Sequence, residues 1–151
     1  NISISRQEIA VALVRAMGLT PDAAMADANS GFSDDATIAD WARGYVNIAV
    51  EKKLFTGYDD GEFKPTRTIS RQELITVIMR LTEDSDASTS MTYTDAADIQ
   101  GYAREYVGKA TNLGIVGGYP DGSFKPFNDV TRAEAAKMLY NGLEYYTFMS
   151  K

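Results

Sequence analysis

The feature that most constrains this chain is a segment that occurs twice at fixed spacing. Gly57-Tyr58-Asp59-Asp60-Gly61-Glu62-Phe63-Lys64-Pro65, then Ser70-Arg71-Gln72-Glu73, returns as Gly118-Tyr119-Pro120-Asp121-Gly122-Ser123-Phe124-Lys125-Pro126, then Thr131-Arg132-Ala133-Glu134, at an offset of 61 residues (71 to 132). A third helix start, Ser5-Arg6-Gln7-Glu8, lies 65 residues before the second (6 to 71). Aligning 32–81 with 93–142 needs no gap and pairs 17 identical residues in 50. Swaps such as Phe32/Tyr93, Trp41/Tyr102 and Leu54/Ile115 keep the intervening positions apolar. Self-similarity at a fixed period indicates an array of supersecondary units rather than one irregular domain. The expected organisation is a closing helix of a first repeat at 1–18, a second repeat at 32–81 and a third at 93–147. Linkers at 19–31 and 82–92 join them into one module.

Local patterns make these units helical. Ser5 followed by Glu8, Ser70 by Glu73 and Thr131 by Glu134 have capping-box spacing, so all six are expected to be structural caps. Ile9, Ala12, Leu13, Ala16 and Met17 then share a helical face that Gly18 ends. Trp41, Tyr45, Ile48 and Ala49 predict a helix over residues 38–53 with Trp41, and by homology Tyr102, on its apolar side. Leu74, Val77, Ile78 and Leu81 supply the buried face of the helix that starts at Ser70. Residues 19–31 read as a connection with a short helical turn around 23–28, and Asp60-Gly61 marks a tight turn.

Composition narrows the function classes. A net charge of −6 opposes general nucleic-acid binding, which needs a basic face. The chain has neither cysteine nor histidine, which removes disulfides, thiolate metal sites and the commonest general base. Asp59-Asp60-Gly61 and Asp121-Gly122 lack the remaining spacing of a calcium loop, so no metal or other cofactor is expected. No stretch is long enough to span a bilayer. Acidic residues are plentiful, but repeated symmetric motifs suit repeated binding better than one hydrolytic centre, so no catalytic residue is assigned.

The combined pattern of Phe-x-Asp, an aromatic helix, Gly-Tyr-x-Asp-Gly-x-Phe-x-Pro and Ile/Val-Thr/Ser-Arg-x-Glu resembles the surface-layer homology repeat. It covers nearly all of residues 32–142 and, through Ser5-Arg6-Gln7-Glu8, the first helix. Two features depart from the family: the first two helix starts read Ser-Arg-Gln-Glu rather than Thr-Arg-Ala-Glu, and the opening half of repeat one is missing. The resemblance implies an all-α fold of helix–loop–helix repeats in a pseudo-threefold module, secreted to the cell surface in the wall or surface layer. It also implies a partner, pyruvylated secondary cell-wall polysaccharide, with other copies of the same chain as a further partner class.

Arg6, Arg71 and Arg132 each follow an N-cap, where a guanidinium fork beside exposed helix amides suits a carboxylate. A pyruvate ketal supplies that carboxylate. The same arginines could instead pair with nearby acids. Gly57, Gly117 and Gly118 sit where the backbone either turns or approaches a ligand, and Tyr58 and Tyr119 are placed to stack on a sugar. Trp41 and Tyr102 fall on apolar helical faces and are expected in the core, with polar edges that could still reach a groove, so they rank second as site candidates. Arg6 is expected to face the Gly57-Tyr58 loop and Arg71 the Gly118-Tyr119 loop, leaving Arg132 without a partner loop. The rival readings are recognition of peptidoglycan or another wall glycan without pyruvate, and a protein–protein assembly module.

Overall fold

The computed structural model of the chain describes residues 2–83 and 85–149. Residue 1 of the expected first segment and residue 84 of the expected second linker lie outside the described residues. The fold is all-α: α1 (Arg6–Ala16), α2 (Ala23–Asp27), α3 (Asp40–Glu51), α4 (Arg71–Met79), α5 (Gly101–Asn112) and α6 (Arg132–Met149), with short 3-10 turns between them. Among the described residues the extended backbone amounts to isolated bridges, Ser3 with Thr131, Ser5 with Thr68 and Ser70 with Asp129.

The chain forms two compact units, Ile4–Thr68 and Asn1–Ser3 with Ile69–Lys151. These units are out of step with the sequence repeats. Each joins the closing helix of one repeat to the opening helix of the next: α1 packs on α3 in the first, and α4 on α5 in the second. Side chains that the closing helices offer reinforce this joining. Gln7 Oε1 accepts the Ala39 N–H at 3.0 Å, and Gln72 Oε1 accepts the Gln100 N–H at 3.0 Å. Ala39 and Gln100 are the N-caps of α3 and α5 and have no side-chain cap bond of their own. The glutamines therefore satisfy donors that these helix starts leave over. This gives the Ser-Arg-Gln-Glu departure a physical role, which position 133, an exposed alanine, does not share.

In the first unit α3 buries Ala42, Val46 and Ala49, a narrow stripe that lets α1 come close. Trp41, at 57% exposed, and Tyr102, at 49%, are not core residues, and the expectation that they are is corrected. Trp41, Tyr45 and Ile48 have the spacing of a buried face, but the small residues one position on have it too. On the far side of α3, Gly44 admits Pro21, and Asn47 Nδ2 donates to the carbonyls of Met25 and Ala28, both at 2.9 Å. The 19–31 connection is thus fastened along α3. α1 buries Ile9, Ala10, Val11, Leu13 and Val14, more than the single expected face, whereas Ala16 is exposed. Gly18 follows the helix at φ 77°, a conformation glycine adopts without strain.

In the second unit α4 is buried over most of its circumference, with Leu74, Ile75, Ile78 and Met79 nearly inaccessible. It ends at Met79, so Leu81 belongs to the following 3-10 turn and is only half-buried. Gly142 of α6 lets Ile78 approach more closely than any side chain there would allow.

Both loops are closed by the aspartate of the Phe-x-Asp motif. Asp34 accepts the N–H groups of Phe63 and Lys64, each at 2.8 Å, one on each carboxylate oxygen. Asp95 does the same for Phe124 at 2.8 Å and Lys125 at 2.9 Å. Clamped in this way, Lys64 and Lys125 are held at φ 57° and 59°, in the left-handed region that non-glycine residues rarely occupy. Phe63 and Phe124, fully buried, anchor each loop against Phe32 and Tyr93 with ring centroids 5.4 and 5.2 Å apart.

Candidate functional site

In each unit the loop wraps the start of a closing helix. In the first, Arg6 is 5% exposed and its Nε donates to the Phe63 carbonyl at 2.8 Å. Its guanidinium carbon lies 4.5 Å from the centre of the Tyr58 ring, 5.0 Å from Phe55 and 4.8 Å from Phe63. In the second, Arg71 is 4% exposed, and its Nε donates to the Phe124 carbonyl at 2.7 Å. Its Nη2 donates to the Gly117 carbonyl at 3.0 Å and its Nη1 to Glu134 Oε2 at 3.2 Å. Rings of Tyr119 and Phe124 each sit 4.7 Å from the guanidinium carbon. Attraction between a desolvated guanidinium and the π face of an aromatic ring helps to offset the burial of charge.

The helix amides do not take part. Arg6 and Gln7 N–H groups donate to the Arg67 and Pro65 carbonyls, and Arg71 and Gln72 N–H groups to the Asn128 and Pro126 carbonyls. The next N–H in each case goes to the N-cap hydroxyl, Glu8 to Ser5 and Glu73 to Ser70, both at 3.3 Å. The expectation of exposed amide ends beside the arginines is corrected for α1 and α4: the loops that wrap these helices consume the donors first. What is left for an anion is side-chain chemistry.

The second unit has a cleft of about 370 Å³ lined by Arg71, Gly117, Gly118, Glu134, Lys137 and Asn141, among others. Guanidinium carries five N–H donors. Among the described residues Arg71 spends three, leaving one on each terminal nitrogen. Glu134 has two tasks. It caps α6, accepting the Thr131 N–H at 3.4 Å while its own N–H donates to the Thr131 hydroxyl at 3.2 Å, and it accepts the Tyr119 hydroxyl at 3.2 Å beside Arg71. Burial alone would raise its pKa. The Thr131 hydroxyl and N–H, the Tyr119 hydroxyl and the Arg71 charge outweigh that and hold the carboxyl below its ordinary value. Burial and the Glu134 charge push the Tyr119 phenol up against the opposing pull of Arg71, so the hydroxyl stays a donor. A wider hollow of about 730 Å³, lined by Met91, Ala96, Arg104 and neighbours, contains none of the residues singled out from sequence.

Other expected site residues are placed as follows. Tyr58 carries Lys64 and Arg67 over its ring as well as Arg6, at 4.8 and 5.0 Å, and Tyr119 carries Lys125 at 4.5 Å. These rings are surrounded by cations before any sugar approaches. Gly57 has φ 76°, and a Cβ there would collide with Phe32. A Cβ on Gly118 would lie 2.7 Å from the Tyr93 ring and 2.8 Å from the Ser123 carbonyl. Packing therefore demands both glycines. Gly117 is different: nothing lies within 4 Å of its missing Cβ, and its carbonyl faces Arg71. Arg132 is exposed, with its N–H on the Ile2 carbonyl at 2.8 Å. Lys137 is the charged cleft residue that sequence reasoning missed, because the internal alignment pairs it with Thr76 and so hides it; Asn141 was not singled out either.

This arrangement defines a class: an all-helical repeat module in which buried arginines are seated on aromatic rings by a wrapping loop. The S-layer homology domain model matches residues 31–75 and 92–136, and the chain belongs to that family. It is similar to cell surface glycoprotein 1 of Acetivibrio thermocellus, 33% identical over 153 residues, spanning 94% of this chain and 6% of that protein. It also resembles the cellulosome-anchoring protein of the same organism, 33% identical over 147 residues and covering 94% of this chain and 32% of the relative. A third similar protein is an amylopullulanase of Thermoanaerobacterium thermosulfurigenes, 30% identical over 149 residues, 95% of this chain and 8% of the enzyme. The chain thus spans less than a third of each. No helix among the described residues is long and apolar enough to cross a membrane.

Proposed function

We propose that this chain anchors a larger protein to the cell wall by holding pyruvylated secondary cell-wall polysaccharide without a covalent bond. Cell-surface anchoring is the role of the family. The finer reading rests on Arg71, a nearly buried guanidinium with two N–H groups unspent at the wall of a cleft. A ketal-linked pyruvate presents a small planar carboxylate that such a group can receive. Arg6 is the corresponding residue of the first unit. Weak sites on one module act together on a polymer through effective concentration. Catalysis is no part of this reading, and the similarity to an amylopullulanase reflects a shared appended module.

Exposed Trp41 and Tyr102 favour a second reading, recognition of a wall glycan by stacking without any pyruvate. One experiment separates the two. Purified walls are offered to the protein before and after mild acid removal of pyruvate ketals. Loss of sedimentation with treated walls is the expected result. Equal binding to both preparations would exclude the pyruvate reading and favour the stacking one.

A further inference from the structure

We infer that Lys137 supplies the uncompensated positive charge that retains an anionic ligand in the Arg71 cleft, and so sets its charge selectivity. The inference rests on the carboxylate-binding reading above and names a residue it does not use. Arg71 cannot act as a free cation. Glu134 lies 3.2 Å from it and is ionised over the ordinary pH range, so the pair has no net charge. A carboxylate entering the cleft meets the Arg71 guanidinium in its wall but also the Glu134 charge. Hydrogen-bond geometry is available there without net attraction.

Lys137 changes that balance. It stands three residues after Glu134, a spacing that puts both on one helix face, and it lines the same cleft. Among the described residues it forms no ion pair, and it is exposed. With Arg71 and Glu134 cancelling, Lys137 leaves the residues that line the cleft at one positive charge, which matches a singly charged carboxylate; Lys125, 4.5 Å from the centre of the Tyr119 ring, is a neighbouring cation that does not line it. The other closing helices have no counterpart. Position 11 is a buried valine, and Thr76 is 2% exposed with its hydroxyl on the Gln72 carbonyl at 2.8 Å. The repeat architecture does not require a lysine at position 137, which points to a role particular to this cleft.

The test is binding of the intact chain to pyruvylated wall polysaccharide, measured by calorimetry across a salt series, for wild type, Lys137→Gln, Lys137→Arg, Lys137→Glu and Arg71→Ala. Lys137→Gln is expected to weaken binding roughly three- to five-fold and to flatten its salt dependence, Lys137→Glu to weaken it further, and Lys137→Arg to restore it. Because the side chain is exposed, the melting temperatures of the three Lys137 variants should match wild type. Wild-type affinity and salt slope in Lys137→Gln, with binding lost in Arg71→Ala, would overturn the role of Lys137 and leave the carboxylate reading standing. Equal wild-type binding to polymer stripped of pyruvate would overturn that reading, and this inference with it.

Discussion

Glu134 sits 3.2 Å from Arg71 Nη1 although 63 residues separate the two in sequence. That contact ties the start of α6 to the start of α4 within one unit and makes Arg71 both a structural and a ligand-facing residue. Arg71→Ala leaves the Gly117 and Phe124 carbonyls without their donor and takes one partner from Glu134, which keeps the Thr131 N–H and the Tyr119 hydroxyl. The expected loss is about 3 kcal/mol of stability, together with wall binding. Urea denaturation followed by circular dichroism measures the first. A variant as stable as wild type would show that these contacts contribute little.

Asp35 makes acid sensitivity calculable in the other unit. The Ser30 hydroxyl and N–H hold its carboxyl down, against the effect of burial and with help from Arg43, to a pKa of about 2, compared with the ordinary 3.8. A depressed folded-state value means that the stabilisation is complete above 3.8 and disappears as pH falls towards 2. Solvent screening at this partly exposed site limits it to about 1–2 kcal/mol. Asp35→Asn should lose most of it at pH 6 and flatten the decline between pH 4 and 2, read from melting temperatures across that range.

The loop clamps should be sensitive to an isosteric change. Asparagine at position 95 keeps one carbonyl oxygen but turns the other acceptor into a donor facing a backbone N–H. Asp95→Asn is expected to cost about 1–3 kcal/mol and to speed amide exchange at Phe124 and Lys125. Exchange at Phe63 and Lys64, held by Asp34, should stay slow.

Gln72 is 2% exposed and its side-chain oxygen caps the backbone of α5. Gln72→Ala should cost about 1–3 kcal/mol through a cavity and a lost cap, whereas Ala133→Gln, at an exposed position, should change stability by less than about 0.5 kcal/mol. Thermal unfolding of both variants checks the contrast.

The helices and caps were legible because their signals are local: Ser5, Glu8, Ser70 and Glu73 stand at the spacing that a reciprocal cap needs. The buried face of α3 was not, since Trp41 and Tyr45 outweigh Ala42 and Ala49 in any reading of size, and close helix approach favours the smaller set. Arg6 and Arg71 were recognisable as a repeated charge. That Arg71 meets Glu134 among all the acids present depends on how the loop folds back. The fate of the amide ends was hidden too, because backbone carbonyls of Pro65, Arg67, Pro126 and Asn128 carry no mark in a sequence.

The half-repeat stagger between folding units and sequence units has an evolutionary consequence. Recombination that inserts or deletes one full period severs no finished unit permanently. Each new junction again places a closing helix, with its glutamine where present, ahead of an opening helix that needs it. Lineages could lengthen or shorten such arrays in whole periods while every seam is rebuilt from the same parts. Fragments cut to the motif edges, by contrast, would divide the bodies that actually cohere.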